Sequence, residues 1–208
     1  PEIYKFEETL RDICVKIGLH EHITEPLLKE SNVSGDKVVL ENALSADLNT
    51  LRTDMYQTLY PVKRIYEKHG VTSINLFEIG LEYSKLKNTN KYEDFVETRK
   101  LGIVCVNNNV SLRENAKIVK ETLATLLQEL GIDTYILNNG VISVNEKDIG
   151  TLKADSINLN TILLMGIQKA QYKLRIKTDY SQDRSGDLSL VMATNICIGG
   201  VISLIKSV

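Results

Sequence analysis

Residues 111–130 carry the pattern that most limits how this chain can fold, because they predict a long amphipathic helix. Apolar side chains recur along one face, and Gly131 follows where a helix usually ends. The residues of this stripe are Leu112, Ala116, Val119, Leu123, Leu126, Leu127 and Leu130. Each large side chain of such a stripe contributes ~1.5–3 kcal/mol when fully buried. The segment therefore predicts a helix with one face in the core.

Strand-like segments lie on both sides of this helix. Residues 73–85, "SINLFEIGLEYSK", predict a long strand, and residues 99–106, "RKLGIVCV", predict a buried one. In "TYILNNGVISVN", Asn139-Gly140 suits a tight primed turn between two strands, and "IGTL" is expected to pair nearby. Helices interspersed with largely antiparallel strands predict an α+β fold.

Shorter predicted elements complete the chain. The polar "LKNTNKYED" predicts a hairpin or loop, and "YKLRIKT" and "DLSLVMA" predict strands. The remaining predicted helices are 6–17 (ended by Gly18), 160–170 and 198–206.

Residues 41–59, "ENALSADLNTLRTDMYQTL", place one arginine, Arg52, inside an apolar stripe. The stripe has helical spacing and consists of Leu44, Leu48, Leu51 and Met55. Ser45 and Asp47 are possible caps for a following helix. An arginine in this setting is either a catalytic cation or a structural strut.

The next segment, 54–68, is helical in composition but contains Pro61. Proline is tolerated in the first turn of a helix and costs about 3 kcal/mol in a helix interior. We therefore expect a helix start or a kink near residue 60.

The composition is that of an ordinary globular protein. The 208 residues are 43% hydrophobic and 25% charged, with a net charge of −2, so no basic excess argues for nucleic-acid binding. Cys14, Cys105 and Cys197 lie far apart in apolar runs, which predicts buried thiols in a reducing compartment. No signal peptide or membrane-length apolar run is evident. The opening Pro1 is consistent with a segment of a longer protein.

Few residues suggest chemistry on their own. His20 and His22 flank Glu21 and could form a metal pair on one side of a strand, but no third ligand stands nearby in sequence. Gly199-Gly200 lacks the further glycines and the cation of a phosphate loop. Cys105 has no neighbouring base. From the residues alone, the chain is an α+β domain without an evident active site.

Three segments in a fixed order resemble a known family. They are "RDICVKIGLHEHITEPLL" at 11–28, "VVLENALSADLNTLRT" at 38–53 and "INLFEIGLEYSK" at 74–85. Together they resemble the catalytic-like module in the β subunit of bacterial phenylalanyl-tRNA synthetase, and later segments agree over nearly the whole chain. Ala43 stands where the family usually has a proline.

This resemblance implies a class II aminoacyl-tRNA synthetase-like antiparallel sheet flanked by helices. It implies a catalytic-like module at 1–175, with 176–208 as the start of a ferredoxin-like anticodon-binding domain or as the module's last strand and helix. The partners it implies are the catalytic alpha subunit and tRNA, in a cytoplasmic heterotetramer that uses ATP and magnesium to charge tRNA with phenylalanine. The segment itself would then be a scaffold without a cofactor.

The charges expected of a class II active site are missing. Such a site holds the ATP triphosphate with two arginines, one in motif 2 just before a glutamate and one in motif 3 after a glycine-rich strand. Both stabilise the negative charge that grows on the phosphates in the transition state. In the matching strand Phe77 precedes Glu78, and "NICIGGVISLI" continues only with apolar residues and serine. The sequence therefore predicts a segment that cannot adenylate an amino acid, with no catalytic, cofactor-binding or metal-binding residue.

Within this resemblance Arg52 is expected to satisfy buried carbonyls or a carboxylate as a structural residue. The structural signature consists of Asn42, Leu44, Ser45, Leu51, Arg52, Thr53, Phe77, Glu78 and Gly80. The motif 1-like residues, which would lie at the alpha-subunit contact or only close the local core, are Arg11, His22, Ile23 and Pro26.

Two other functions stay open from the sequence. One is an active enzyme with an unrecognised site, which a pocket with convergent cations would favour. The other is a free-standing synthetase paralogue that binds an amino acid or nucleotide as a regulator, which a small apolar pocket with a satisfied carboxylate contact would favour. A closed apolar centre where ATP would bind favours the scaffold.

Overall fold

The computed structural model describes residues 2–86 and 94–175, with α+β architecture. Its helices are α1 (Glu2–Lys16), α2 (Tyr56–Lys68), α3 (Leu112–Glu129) and α4 (Thr161–Arg175). Its strands are β1 (His20–Glu21), β2 (Leu27–Leu28), β3 (Val38–Val39), β4 (Thr50–Leu51), β5 (Ser73–Lys85), β6 (Phe95–Asn107), β7 (Ile136–Asn138), β8 (Val141–Val144), β9 (Lys147–Leu152) and β10 (Ser156–Asn160).

A seven-stranded sheet organises the molecule in the order β1-β5-β6-β10-β9-β8-β7. Strand β1 pairs parallel to β5, whereas the other neighbours are antiparallel. The long β5–β6 pair runs from Ser73 opposite Asn107 to Lys85 opposite Phe95. A separate three-stranded sheet has the order β2-β4-β3. The predicted α+β class with a largely antiparallel sheet is confirmed.

The two faces of the seven-stranded sheet are covered differently, because successive strand residues point to opposite sides. The main core joins Phe77, Leu101 and Ile103 of the sheet to α1, α3 and α4. On the other face, Met55, Tyr56 and Leu59 of the α2 region pack on Val104. The helices of the main core contribute, among others, Leu10, Leu123, Leu126, Leu127 and Leu164.

Several predictions that rested on strong local patterns are confirmed. Helix α3 forms where predicted and buries Val119, Leu123, Leu126 and Leu127, but Leu112, the first residue of the predicted stripe, is exposed. The Ser111 side chain caps the helix by accepting a hydrogen bond from the Glu114 N–H at 3.2 Å. The turn between β7 and β8 has Asn139 at φ 48° and Gly140 at φ 81°, as a primed turn requires. Cys14 and Cys105 are buried free thiols, as expected, and burial raises the pKa of each to about 12.

The helical spacing of the apolar residues at 44–55 does not correspond to a helix. The chain there forms an exposed loop closed by the Leu40 N–H, which donates to the Asn49 carbonyl at 2.8 Å, followed by strand β4. Ser45 does not cap a helix, because its hydroxyl accepts from the Asp47 N–H within a local turn. The apolar spacing was misleading, since Leu44 and Leu48 are exposed instead of sharing a buried face.

Of the two alternatives expected near residue 60, a helix start is wrong, because α2 begins at Tyr56 and contains Pro61 in its interior. A kink there stays a prediction. The first N–H groups of α2 find partners outside the helix: the Met55 N–H donates to Glu82 Oε1 at 2.9 Å and the Tyr56 N–H donates to Asp54 Oδ1 at 2.8 Å. These contacts stabilise a helix start upstream of the proline.

The "YKLRIKT" strand prediction is wrong at its start, because α4 continues through Arg175. Lysine, leucine and arginine are good helix formers, and the short alternation of apolar and polar residues in this segment does not distinguish a strand from a helix. The predictions for "DLSLVMA", for a helix at 198–206 and for a domain at 176–208 lie outside the described residues, as does most of the predicted hairpin "LKNTNKYED". None of the helices in the described part of the chain is long and apolar enough to span a lipid bilayer.

Candidate functional site

The candidate site is the side of the large sheet that α2 covers, here called the α2-covered face. It carries Glu78, Gly80 and Glu82 of β5, Lys100, Gly102 and Val104 of β6, and Ser156 and Asn158 of β10. Strand pairing aligns Glu78 with Gly102 and Gly102 with Asn158, so the centre of the face crosses three strands. The period-two alternation of β5 places two acidic residues on this side with a glycine between them.

Arg52 and Glu78 form a buried ion pair at the centre of this face. Both residues are 2% exposed, and Arg52 Nη1 lies 2.8 Å from Glu78 Oε1. The guanidinium also donates through Nε to the Leu81 carbonyl at 2.9 Å and through Nη1 to the hydroxyls of Thr24 and Thr58 at 2.8 Å each. The Thr24 hydroxyl in turn donates to Glu78 Oε2 at 2.7 Å. Arg52 therefore joins the segment before β2, α2 and β5.

Gly80 explains the spacing of the Leu-Phe-Glu-x-Gly signature. A Cβ at Gly80 would overlap Arg52 Nη2 and would lie 3.2 Å from Glu78 Oε1. The glycine is thus required by the close approach of the guanidinium, while Phe77 points into the opposite, helical core. Sequence alone indicated the signature, and the structure supplies its physical reason.

Glu82 holds the start of α2 on the sheet. Its Oε1 accepts from the Met55 N–H at 2.9 Å and from Asn158 Nδ2 at 2.7 Å, and Lys100 Nζ lies 3.7 Å from Oε2. A carboxylate at a helix N-terminus is favoured by the helix dipole. No sequence pattern indicated a role for Thr24 or Asn158, whose partners Glu78 and Glu82 lie far away in the chain. Thr58 was not singled out either, although its partner Arg52 is only six residues away.

A third polar group joins α2 to β10. Tyr60 Oη donates to Asp155 Oδ1 at 2.9 Å and lies 3.1 Å from Ser156 Oγ, while Lys63 Nζ donates to Asp155 Oδ2 at 3.0 Å. Burial works to raise the pKa of Asp155, but the hydrogen bonds from Lys63 and Tyr60 outweigh it, so the pKa lies below its usual value.

Apolar side chains fill the space between these polar groups. Met55, Leu59 and Val104 are each fully buried. Gly102 lets α2 approach the sheet, because a Cβ there would lie 2.9 Å from Met55 Cβ and 3.0 Å from Leu59 Cδ1. The described part of this face is therefore closed, and Arg52, Lys63 and Lys100 lie against carboxylates. A fourth cation, the exposed Lys153, lies over the Tyr56 ring, with Nζ 4.4 Å from the ring centroid.

The remaining signature residues do not gather at this site. Asn42, Leu44 and Ser45 belong to the exposed loop before β4, with Leu44 fully exposed. Leu51 lies in β4, and the Thr53 hydroxyl donates to the Ser34 carbonyl at 3.1 Å.

The motif 1-like residues lie at the β1 edge of the large sheet. Arg11 of α1 donates through Nε to Glu21 Oε1 at 2.6 Å, and the His22 N–H donates to the Phe77 carbonyl at 2.8 Å. The Pro26 carbonyl accepts from the Arg52 N–H at 2.9 Å. Ile23, by contrast, is 81% exposed. The backbone of this segment thus forms hydrogen bonds with neighbouring parts of the fold, while the large apolar side chain of Ile23 is exposed to solvent.

The described residues hold no group of three metal-ligating side chains. His20 and His22 are therefore a pair without a third His, Cys, Asp or Glu ligand within the ranges 2–86 and 94–175. Two surface clefts, of about 500 and 760 Å³, are lined by the start of α3 and by residues around β3, and none of their described lining residues belongs to the α2-covered face.

Comparison with known proteins gives consistent matches. Residues 1–153 match the family described as the phenylalanyl tRNA synthetase beta chain CLM domain. The phenylalanine–tRNA ligase beta subunit of Gloeobacter violaceus is 32% identical over 98 residues, which are 47% of this chain and 12% of that protein. The chain thus matches only a small part of that relative's length.

Solved structures with the same fold include pyrrolysyl-tRNA synthetase from Desulfitobacterium hafniense. One structure has a TM-score of 0.62 at 16% identity, and the match covers 82% of this chain and 70% of that one. A second, of D. hafniense PylSc, has the same TM-score and identity and is covered over 68% of its length. At this identity the likeness shows a shared class II synthetase-like fold.

Proposed function

The chain belongs to the phenylalanyl tRNA synthetase beta chain CLM domain family, as the order of its sequence signatures predicted, and from this membership we propose that it acts as a non-catalytic scaffold. In this role the module pairs with the catalytic alpha subunit during ATP-dependent charging of tRNA with phenylalanine, in the cytoplasm. ATP and magnesium serve the complete enzyme, and this segment binds neither.

The closed α2-covered face is the observation that carries this proposal. An adenylating site must hold phosphate with free cationic groups and must admit substrate. Here Arg52 is 2% exposed and paired with Glu78, and Met55 and Leu59 are fully buried against the sheet. The residue before Glu78 is Phe77, which is buried in the helical core and carries no charge. These features leave Arg52, the arginine of this face, buried and engaged with a carboxylate instead of being available to phosphate.

The β1 edge supports a contact with the alpha subunit. Ile23 is 81% exposed. Its neighbours are held in place by hydrogen bonds, from the His22 N–H to the Phe77 carbonyl and from the Thr24 hydroxyl to Glu78. An apolar side chain on a rigid segment is suited to anchoring a partner, because little conformational freedom is lost on binding. In this proposal Arg11, His22, Ile23 and Pro26 lie at or near the contact.

Replacing Ile23 with aspartate is expected to weaken binding of the alpha subunit by about tenfold or more, because a charge would be placed in an apolar contact. The measurement is the Kd of the chain for the catalytic alpha subunit of the same source, by isothermal titration calorimetry. Leu112→Asp is the matched control, since Leu112 is also 81% exposed but lies on α3.

The two parts of the proposal fail separately in this experiment. If the unaltered, folded chain does not bind the alpha subunit, the scaffold function is wrong. If it binds and Ile23→Asp binds as well as Leu112→Asp, the function stands and the contact lies elsewhere.

A further inference from the structure

The turn between β7 and β8 carries the one Asn-Gly pair of the sequence, Asn139-Gly140. Asn139 is exposed, and the two residues have positive φ angles of 48° and 81°. The fold requires the glycine, because side chains rarely tolerate this φ and a Cβ there would lie 2.9 Å from the Leu152 carbonyl oxygen. The turn therefore keeps an exposed asparagine directly before a residue without a side chain.

This pair brings a nucleophile and an electrophile together. The backbone nitrogen of the residue after an asparagine can attack the side-chain amide carbon, and a side chain on that residue hinders the approach. Among residues 2–86 and 94–175, the Gly140 N–H donates to no partner, so its nitrogen is not held by a hydrogen bond. Strand β7 has only three residues and pairs only with β8 at the edge of the sheet, which favours local opening of the turn.

We propose that Asn139 is a site of spontaneous deamidation in the folded protein. The Gly140 nitrogen loses its proton to solvent and attacks Asn139 Cγ. The N–Cγ bond forms, the Cγ–Nδ2 bond breaks, and Nδ2 takes up a proton and leaves as ammonia. Solvent water then opens the resulting succinimide at Cγ to give aspartate, or at the main-chain carbonyl carbon to give isoaspartate. Either product carries a carboxylate in place of the neutral amide.

The two products differ in their effect on the hairpin. Isoaspartate routes the main chain through Cβ and Cγ, so it lengthens a turn of two residues by one carbon. The Gly140 carbonyl accepts from the Leu152 N–H at 2.7 Å, and Asn138 pairs with Val141 across the turn. A longer turn is expected to disrupt these contacts, whereas aspartate adopts positive φ and preserves the turn. This inference is independent of the alpha-subunit proposal.

The next turn of the same sheet provides a matched internal control. Asn145 and Glu146 connect β8 to β9, both are exposed, and their φ angles of 49° and 64° are also positive. The two asparagines thus share exposure and backbone conformation at φ. They differ in the residue that follows, since Glu146 carries a side chain and Gly140 does not.

The test is incubation of the unaltered, folded chain in mildly alkaline buffer, with peptide mass spectrometry at successive times and an isoaspartyl methyltransferase assay. Because the reaction depends on close approach of the two atoms, Asn139 is expected to convert at least about tenfold faster than Asn145. Both aspartate and isoaspartate are expected at position 139. Equal rates at the two asparagines would overturn the proposal. Conversion of Asn139 in urea but not in buffer would overturn it as well, because the folded turn would then protect the residue.

Glu146→Gly tests the cause in a variant that is expected to fold, since glycine adopts a φ of 64° without strain. The change removes the side chain after Asn145 and is expected to accelerate its conversion by at least about tenfold, while Asn139 converts at its unaltered rate. An unchanged rate at Asn145 would overturn the steric basis of the proposal.

Discussion

Replacing Arg52 with alanine is expected to lower the free energy of unfolding by about 3–5 kcal/mol, because it leaves the Glu78 carboxylate buried without its cation. Glu78 is 2% exposed, and its Oε1 lies 2.8 Å from the guanidinium. The hydroxyls of Thr24 and Thr58 and the Leu81 carbonyl also lose a donor. The measurement is urea denaturation of the variant and of the unaltered chain.

Arg11→Ala is the matched control for this experiment. Arg11 pairs with Glu21, but its side chain is 39% exposed, and exposed pairs contribute about 0.2–1 kcal/mol. The double variant Arg52→Met/Glu78→Met is expected to be more stable than Arg52→Ala alone, because no unpaired charge remains. An Arg52→Ala variant that loses no more than Arg11→Ala would show that Arg52 is not a structural strut.

Replacing Gly80 with alanine is expected to lower the free energy of unfolding by about 1–3 kcal/mol through overpacking. The new Cβ would overlap Arg52 Nη2, and that guanidinium is held in place by its hydrogen bonds and cannot move aside freely. In an open strand position alanine would be tolerated or favoured over glycine. Thermal and urea denaturation measure the change.

Gly166→Ala is the control, because it is expected to change the free energy of unfolding in the opposite direction. Gly166 lies within α4, and a Cβ added there would have no heavy atom within 4 Å outside its own helical turn and chain neighbours. Alanine is therefore expected to stabilise the chain by up to about 1 kcal/mol through helix propensity. If Gly80→Ala were as stable as Gly166→Ala, the close approach of Arg52 would not explain the glycine in the signature.

Long local patterns predicted much of the fold correctly. The α3 stripe, the Asn139-Gly140 turn and the β5 alternation each depend on residues that are close in sequence, so their periodicity identifies them directly. The stretch around Leu44 and Leu48 shows the limit of this method. The leucines have helical spacing, but they do not pack against the rest of the protein. Their exposure is visible only in the folded structure.

The polar contacts of the α2-covered face could not be predicted from the sequence. Glu78 and Glu82 both lie in the predicted strand 73–85, but their partners Arg52, Met55 and Asn158 come from other parts of the chain. The early start of α2 has the same origin, because the Glu82 carboxylate reaches the Met55 N–H from the sheet. Alternation along β5 was the one signal that could have placed Glu78, Gly80 and Glu82 together.

Equilibrium dialysis of labelled ATP with magnesium against the folded chain tests whether the α2-covered face binds nucleotide. We expect no saturable binding at millimolar ATP, because Arg52, Lys63 and Lys100 lie against carboxylates and Met55 and Leu59 close the face. The catalytic alpha subunit, dialysed in parallel, is the positive control. Saturable binding of one ATP per chain, lost in a folded variant with a substituted arginine on this face, would show that the scaffold function is wrong and would support a nucleotide-binding regulator or an active enzyme.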